Sequence, residues 1–165
     1  MTAGIRGIVL ASTSRHRRML MDRLGVPYEC AAPRCDESLA EGTPPGEGTA
    51  VLAVRKAESV AHLHPGCLIV GSDQMAVMDG RAIGKPGTVE RAIDQILGMS
   101  GRMHELWTSV AVIPAGGVEG APRVHTEVHR MWMREVGREE AAAYVAADSP
   151  LARAGSYRFE SRGSG

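Results

Sequence analysis

No apolar run in this chain approaches the roughly 20 residues that a membrane-spanning helix needs, so no membrane span is expected. The early run Ile8 to Ala11 is too short for the apolar core of a secretory signal. Charge excess is missing as well: 19 Lys and Arg face 19 Asp and Glu, a formal net charge of zero. Nonspecific adhesion to nucleic acid or to a membrane surface therefore gets no global electrostatic help, and any anion site has to be local. Cysteine is scarce. Cys30, Cys35 and Cys67 are an odd count with no Cys-x-x-Cys spacing, which argues against a disulfide framework or a zinc ribbon and for a reduced, cytoplasmic setting. The six histidines include no His-x-x-x-His pair, and His62 and His64 sit two apart; they read as surface or strand residues rather than metal ligands. Neither an internal repeat nor the Gly-x-x-x-x-Gly-Lys spacing of a Walker loop is present. What remains is 165 residues with 44% hydrophobic content, enough for one compact domain with room for two lobes.

Strands and helices alternate along the chain, which gives an α/β class. Ile5 to Ala11 reads as a buried strand and Ser12 to Ser14 as a hydroxyl-rich turn, with Ser14 as the cap of a helix from Arg15 to Leu24. Gly25 and Pro27 end that helix. Tyr28 to Ala32 reads as a second strand, Gly42 to Gly48 as a flexible connection and Thr49 to His62 as a helix. Leu68 to Asp73 is the next strand. Met75 to Met78 and Arg81 to Ile83 flank Asp79-Gly80, a strong hairpin signal. Thr88 caps a helix whose Val89, Ala92, Ile93, Ile96 and Leu97 recur at helical spacing. Two alternating segments, Glu105 to Ile113 and Val124 to Val136, read as antiparallel partners, and Arg138 to Ala147 as a short helix. Trp107 and Trp132 read as core or interface residues.

Two strand ends carry opposite charge. Leu68-Ile69-Val70 stops at Gly71-Ser72-Asp73-Gln74, and Ile8 to Ala11 runs through Ser12-Thr13-Ser14 into Arg15-His16-Arg17-Arg18. An apolar run that stops at a carboxylate looks like a buried strand delivering an acid to a site, although a strand-end Asp73 also suits a simple turn cap. Gln74 either hydrogen-bonds a base edge or finishes the strand. Three arginines at a helix N-terminus oppose the macrodipole. Either they form a solvated basic turn or, together with the free N–H groups of that end, they bind an anion such as phosphate. Asp36 and Glu37 are adjacent loop carboxylates that alone read as solvated; with Asp73 they compose a hard oxygen site for Mg²⁺ or Mn²⁺. Lys56, beside Arg55 in mid-helix, reads from its helix alone as a surface lysine. Lys85, between Gly84 and Pro86, sits on a loop able to project it into a cleft.

The ordered series of short motifs resembles the Maf family of nucleoside triphosphate pyrophosphatases. The matching stretches are Leu10 to Ser14 with Arg17-Arg18, Cys30 to Pro33 with Asp36-Glu37, Lys56-Ala57, Gly71 to Gln74, Asp79-Gly80 and Gly84 to Pro86. Ser100-Gly101, Thr108, Pro150-Leu151 and Ala154 to Tyr157 complete the series. One branch of the family acts on dTTP and UTP and carries Ala-Asp-Thr at the central motif. The branch resembling 7-methyl-GTP pyrophosphatases carries Ser-Asp-Gln, as at Ser72-Asp73-Gln74.

The resemblance implies an elongated, twisted mixed sheet with two lobes and a central cleft, the architecture shared with inosine triphosphate pyrophosphatases. It implies a single Maf-like domain over residues 1–165, a homodimer as family members commonly form, and no nucleic-acid or membrane partner. Family members continue beyond the last residue here with a further strand and helix, so the resemblance reads this chain as short at its C-terminus. The implied reaction is hydrolysis between the α- and β-phosphates of a nucleoside triphosphate, with 7-methyl-GTP as the expected substrate. The alternatives are the dTTP/UTP branch and a non-catalytic nucleotide-binding division regulator. By the same resemblance Arg17, Lys56 and Lys85 hold the triphosphate, with support from Arg18 and the Ser12 hydroxyl. Glu37, with Asp36, holds a divalent metal, and Asp73 is the general base and touches that metal. His16, Gln74 and Glu160 tune base choice. His16 departs from the tryptophan common in the 7-methyl-GTP branch, whereas the Glu160 carboxylate suits the N1–H and amino group of guanine.

Overall fold

A computed structural model describes residues 4–148 of the chain. Those residues form six strands and four helices: β1 (Gly7–Ala11), α1 (Arg15–Asp22), β2 (Glu29–Ala31), α2 (Pro45–Ala61), β3 (Cys67–Met78), β4 (Arg81–Ile83), α3 (Val89–Met99), β5 (Met103–Pro114), β6 (Arg123–Trp132) and α4 (Arg138–Asp148). The sheet runs in the order β2-β1-β3-β5-β6, and β4 pairs with β3. β1 is parallel to both β2 and β3, whereas β4 is antiparallel to β3. The sheet is therefore mixed, as the resemblance implies.

The described residues group into two compact units, one of residues 4–74 with 108–127 and the other of 75–107 with 128–148. The first unit has its own apolar core of Val9, Ala11, Ala57, Val60, Ile69, Ile113 and Ala115. The second is built on the stripe read from the sequence: Ala92, Ile93 and Ile96 of α3 pack with Ala141 and Val145 of α4. Burying one face of each helix in this way supplies most of a helix's stability. No helix among the described residues is long and apolar enough to cross a membrane.

Local chemistry accounts for the boundaries. The Ser14 side chain accepts from the Arg17 N–H at 3.4 Å and starts α1. Gly25, at φ 65°, ends the turn that follows it. The Thr88 side chain accepts from the Arg91 N–H at 3.3 Å and starts α3. Asp79 (φ 52°) and Gly80 (φ 74°) are both left-handed, the conformation a two-residue type I′ hairpin demands. The register across that turn pairs Met78 with Arg81, Val77 with Ala82 and Ala76 with Ile83.

Three expectations are corrected. The segment up to Gly48 is not all connection: Pro45 to Gly48 form the first turn of α2. A proline at the first helical positions loses nothing, because its missing N–H would have had no partner there. Leu68 to Asp73 and Met75 to Met78 are one twelve-residue strand; Gln74, the polar residue read as an end, simply faces solvent. Trp132 is 73% exposed, which corrects the core half of its core-or-interface reading and leaves the interface half standing.

Candidate active site

The site is built in the first unit by one close contact. A Cβ placed on Gly71 would lie 2.1 Å from the Ala53 carbonyl oxygen and 2.9 Å from the Ala57 Cβ and amide N. Only glycine lets α2 lie this close to β3. Side chains two apart on a strand share a face, so Asp73 leaves β3 on the side of Gly71, toward α2. Lys56 meets it there: Nζ lies 2.5 Å from Asp73 Oδ1. Both residues are 7% exposed.

Lys56 is thus a correction to the reading of its helix in isolation. It belongs to the inward stripe Leu52, Ala53, Lys56, Ala57, Val60, every member of which is buried. That periodicity was open to view in the sequence. A lysine on such a stripe has to find an acceptor or stay out of the core.

The other members converge on the same place. Glu37 Oε1 lies 3.7 Å from Lys56 Nζ. Ser12, just beyond β1 and 2% exposed, accepts through Oγ from the Ser14 N–H at 3.1 Å and from Arg17 Nη1 at 3.4 Å. Burial pushes the Arg17 guanidinium below its ordinary value, while the carboxylates of Asp73 and Glu37 pull it back up. Arg17 therefore feels both acids. The β1–β3 pairing is parallel, with Leu10 opposite Val70. Both strands therefore deliver the residues after Leu10 and Val70 in the same direction, toward their carboxyl ends, the side on which open α/β sheets bind ligands.

The remaining candidates are placed differently. Arg18 is exposed and donates to the Thr13 carbonyl at 3.0 Å, bracing the turn after β1. His16 is partly buried on α1. Gln74 donates through Nε2 to Thr108 Oγ1 at 2.9 Å. The Asp36 carboxylate turns back on its own loop, accepting from the Ser38 N–H at 2.9 Å and Ser38 Oγ at 2.7 Å. Those bonds hold it below the usual carboxylate range. Lys85 lies in the second unit, exposed between β4 and α3, next to the buried Pro86. Glu160 lies outside the described residues.

The donor set bears on a metal. Among the described residues no group of three or more His, Cys, Asp and Glu side chains is arranged to hold an ion. Two carboxylates, Glu37 and Asp73, do converge on a single ammonium. An all-oxygen pair of this kind fits Mg²⁺ or Mn²⁺, which take one or two carboxylates and complete their shell with water and phosphate. Arg17 and Lys56 are already balanced by Glu37 and Asp73. A polyphosphate entering here brings further negative charge, which calls for a further cation.

Comparison with known proteins bears on the family of the chain. The family model described as Maf-like protein matches residues 7–165. A protein of Pseudomonas putida (strain KT2440) named 7-methyl-GTP pyrophosphatase is 41% identical over 156 residues, covering 94% of this chain and 80% of its own. One of the same name from Aromatoleum aromaticum is also 41% identical over 156 residues, with 94% and 79% covered. A third, from Bordetella avium, is 39% identical over 157 residues, with 94% and 77% covered. Among solved structures, the Staphylococcus aureus Ham1 protein superposes with a TM-score of 0.52 at 14% identity, over 79% of this chain and 73% of that one; at that identity the likeness shows the fold alone.

Proposed function

The chain belongs to the Maf family, and from that premise we propose that it is a nucleoside triphosphate pyrophosphatase that hydrolyses 7-methyl-GTP to 7-methyl-GMP and pyrophosphate. The observation that carries the reading is the buried Lys56–Asp73 pair with Glu37 and Arg17 around it. The names of the similar proteins support the substrate.

In this mechanism water attacks the α-phosphorus and the bond from that phosphorus to the α–β bridging oxygen breaks. The bridging oxygen leaves with pyrophosphate, and the water proton passes to Asp73. Lys56 occupies Asp73 Oδ1, so Oδ2 is the atom that receives the proton. By holding Oδ1, Lys56 also fixes the plane of the carboxylate, which keeps the base aimed before substrate arrives. Arg17, Lys56 and Lys85 bind the triphosphate, Arg18 braces the turn, and Ser12 Oγ orients Arg17. Glu37 and Asp73 would hold the divalent metal, and Asp36 would join them only by giving up its bonds to Ser38. When bound, the metal supplies counter-charge to the phosphates and to the departing pyrophosphate.

His16, Gln74 and Glu160 select the base. Gln74 spends Nε2 on Thr108, which leaves Oε1 as an acceptor for a donor on the base edge. The enzyme acts in the cytoplasm as one Maf-like domain over residues 1–165, in a homodimer.

The test is pyrophosphate release with Mg²⁺ or Mn²⁺, comparing 7-methyl-GTP with GTP, dTTP, UTP and CTP. Preference for 7-methyl-GTP is expected. Asp73→Asn should lower turnover by about 10²–10⁴-fold, the usual span for a general base, and retain nucleotide binding. A pyrimidine preference would overturn the assigned base. A folded protein that binds nucleotide and cleaves none would overturn the enzymatic reading in favour of a nucleotide-binding regulator.

A further inference from the structure

Lys56 has a neighbour with a separate task. Arg55, one step around α2, donates through Nη1 to the Asp36 carbonyl at 3.2 Å and to the Ser38 carbonyl at 2.7 Å. These two carbonyls flank Glu37 on either side. Residues 32–40 belong to no strand or helix, so their backbone acceptors need partners from elsewhere. One guanidinium satisfies two of them. We infer that Arg55 is a positioning residue that sets the place of the Glu37 carboxylate, and that α2 thereby addresses the acidic loop twice, through the backbone with Arg55 and through the Glu37 carboxylate with Lys56. The inference rests on the metal and substrate site proposed above.

The alternative source of order is weak. The Glu37 side chain is 55% exposed and its nearest cationic atom is 3.7 Å away, an ion pair too loose and too wet to hold a loop. Charge-assisted bonds from a guanidinium to carbonyls are stronger and directional. Two further ties act in the same sense. Asp36 caps the Ser38 N–H, which closes the loop on itself. The Arg34 N–H donates to Ser59 Oγ at 3.2 Å, and Ser59 Oγ donates to the Lys56 carbonyl at 2.8 Å, which moors the start of the loop to α2. Arg55 is the member of this set that grips the backbone on both sides of Glu37. Lysine at that position would offer a point charge in place of the planar fork.

The experiment is a double-mutant cycle of Arg55→Gln and Glu37→Gln, read by the Mg²⁺ concentration for half-maximal pyrophosphate release and by hydrogen exchange of residues 34–41. Arg55→Gln should raise that Mg²⁺ concentration about tenfold, the low end of what supporting residues contribute to metal sites. In the Glu37→Gln background the same change should add less than about a twofold effect, because the group it positions is gone. Exchange should accelerate in residues 34–41 and stay unchanged in α2. Arg55→Lys should recover part of the loss, and it carries the same readouts should Arg55→Gln fail to fold. An undiminished effect in the Glu37→Gln background, or unaltered exchange in residues 34–41, would overturn the inference. If the wild-type chain cleaves no nucleotide, the proposed function fails by itself; exchange, with Mn²⁺ binding measured by electron paramagnetic resonance, then decides the role of Arg55.

Discussion

Lys56 and Asp73 in the first unit are 2.5 Å apart, and Arg102 and Asp79 in the second are 2.6 Å apart. By distance the two pairs are equals. By surroundings they are not: the side chains of the first pair are 9% and 10% exposed, those of the second 48% and 67%. An exposed pair gains about 0.2–1 kcal/mol, since water and salt already solvate its members. A buried pair is no great asset relative to apolar residues of the same size. Breaking it, however, costs roughly 3–5 kcal/mol, because a charge is then left dry and alone. Burial therefore separates an ion pair that decorates a turn from one that commits the protein to a charged interior. On the function proposed above, a commitment of that kind serves the chemistry performed there rather than stability.

The comparison is broken most forcefully at Lys56. Lys56→Met keeps the length of the side chain and removes the charge, leaving Asp73 without its nearest partner. Arg17 also acts on Asp73 and Glu37, so the loss should fall at the low end, about 3 kcal/mol, measured as a fall in the urea midpoint. Loss of activity should exceed what the unfolded fraction explains. A variant as stable as wild type would mean that Asp73 is not effectively buried, and the distinction between the two pairs would collapse.

Gly71 offers a gentler break, acting on the geometry of the pair and leaving its charges alone. In Gly71→Ala the new methyl group meets the Ala53 carbonyl and the Ala57 backbone, so α2 has to withdraw from β3. Overpacking of this kind costs about 1–3 kcal/mol. Lys56 moves with α2 and Asp73 stays with β3, so turnover should fall by more than stability does. Assays well below the melting temperature, beside urea unfolding, separate the two effects. Equal losses in both would reduce Gly71 to a packing residue.

Much of this arrangement was legible in the sequence, for reasons particular to each residue. The hairpin at Asp79-Gly80 and the α3 stripe follow from local rules about left-handed turns and helical spacing, and no distant contact had to agree. Asp73 was visible because an apolar run ended on it. Asp36 and Glu37 were not separable by type, being adjacent carboxylates in a loop. Asp36-Glu37-Ser38 does fit an Asx turn, and that is the pattern by which Asp36 becomes the capping residue. Lys56 needed one further step, the recognition that its stripe was otherwise apolar and small. The grip of Arg55 on two carbonyls had no sequence signal at all, because a backbone acceptor has no residue type. Lys85 and the residues proposed to select the base depend on a bound nucleotide for their meaning, and no local rule supplies one.

The smallest expected effect sharpens the comparison from the other side. Asp79→Asn keeps a side chain that tolerates the left-handed φ of 52°, and its oxygen still accepts from Arg102; the charge alone is lost. The cost should stay within about 1 kcal/mol. It should shrink further in about 1 M NaCl, where the Debye length falls to about 3 Å and exposed charges are screened. The deficit of Lys56→Met should persist in the same salt, because a contact pair with little exposure is screened much less than an exposed one. Urea midpoints of both variants at low and high salt make the measurement. If the two deficits respond alike, burial does not distinguish the pairs, and the argument for a charged interior reserved for chemistry loses its footing. If they part as expected, the pair at Lys56 and Asp73 is maintained against its own desolvation cost, as the proposed binding of a group that draws on both charges requires.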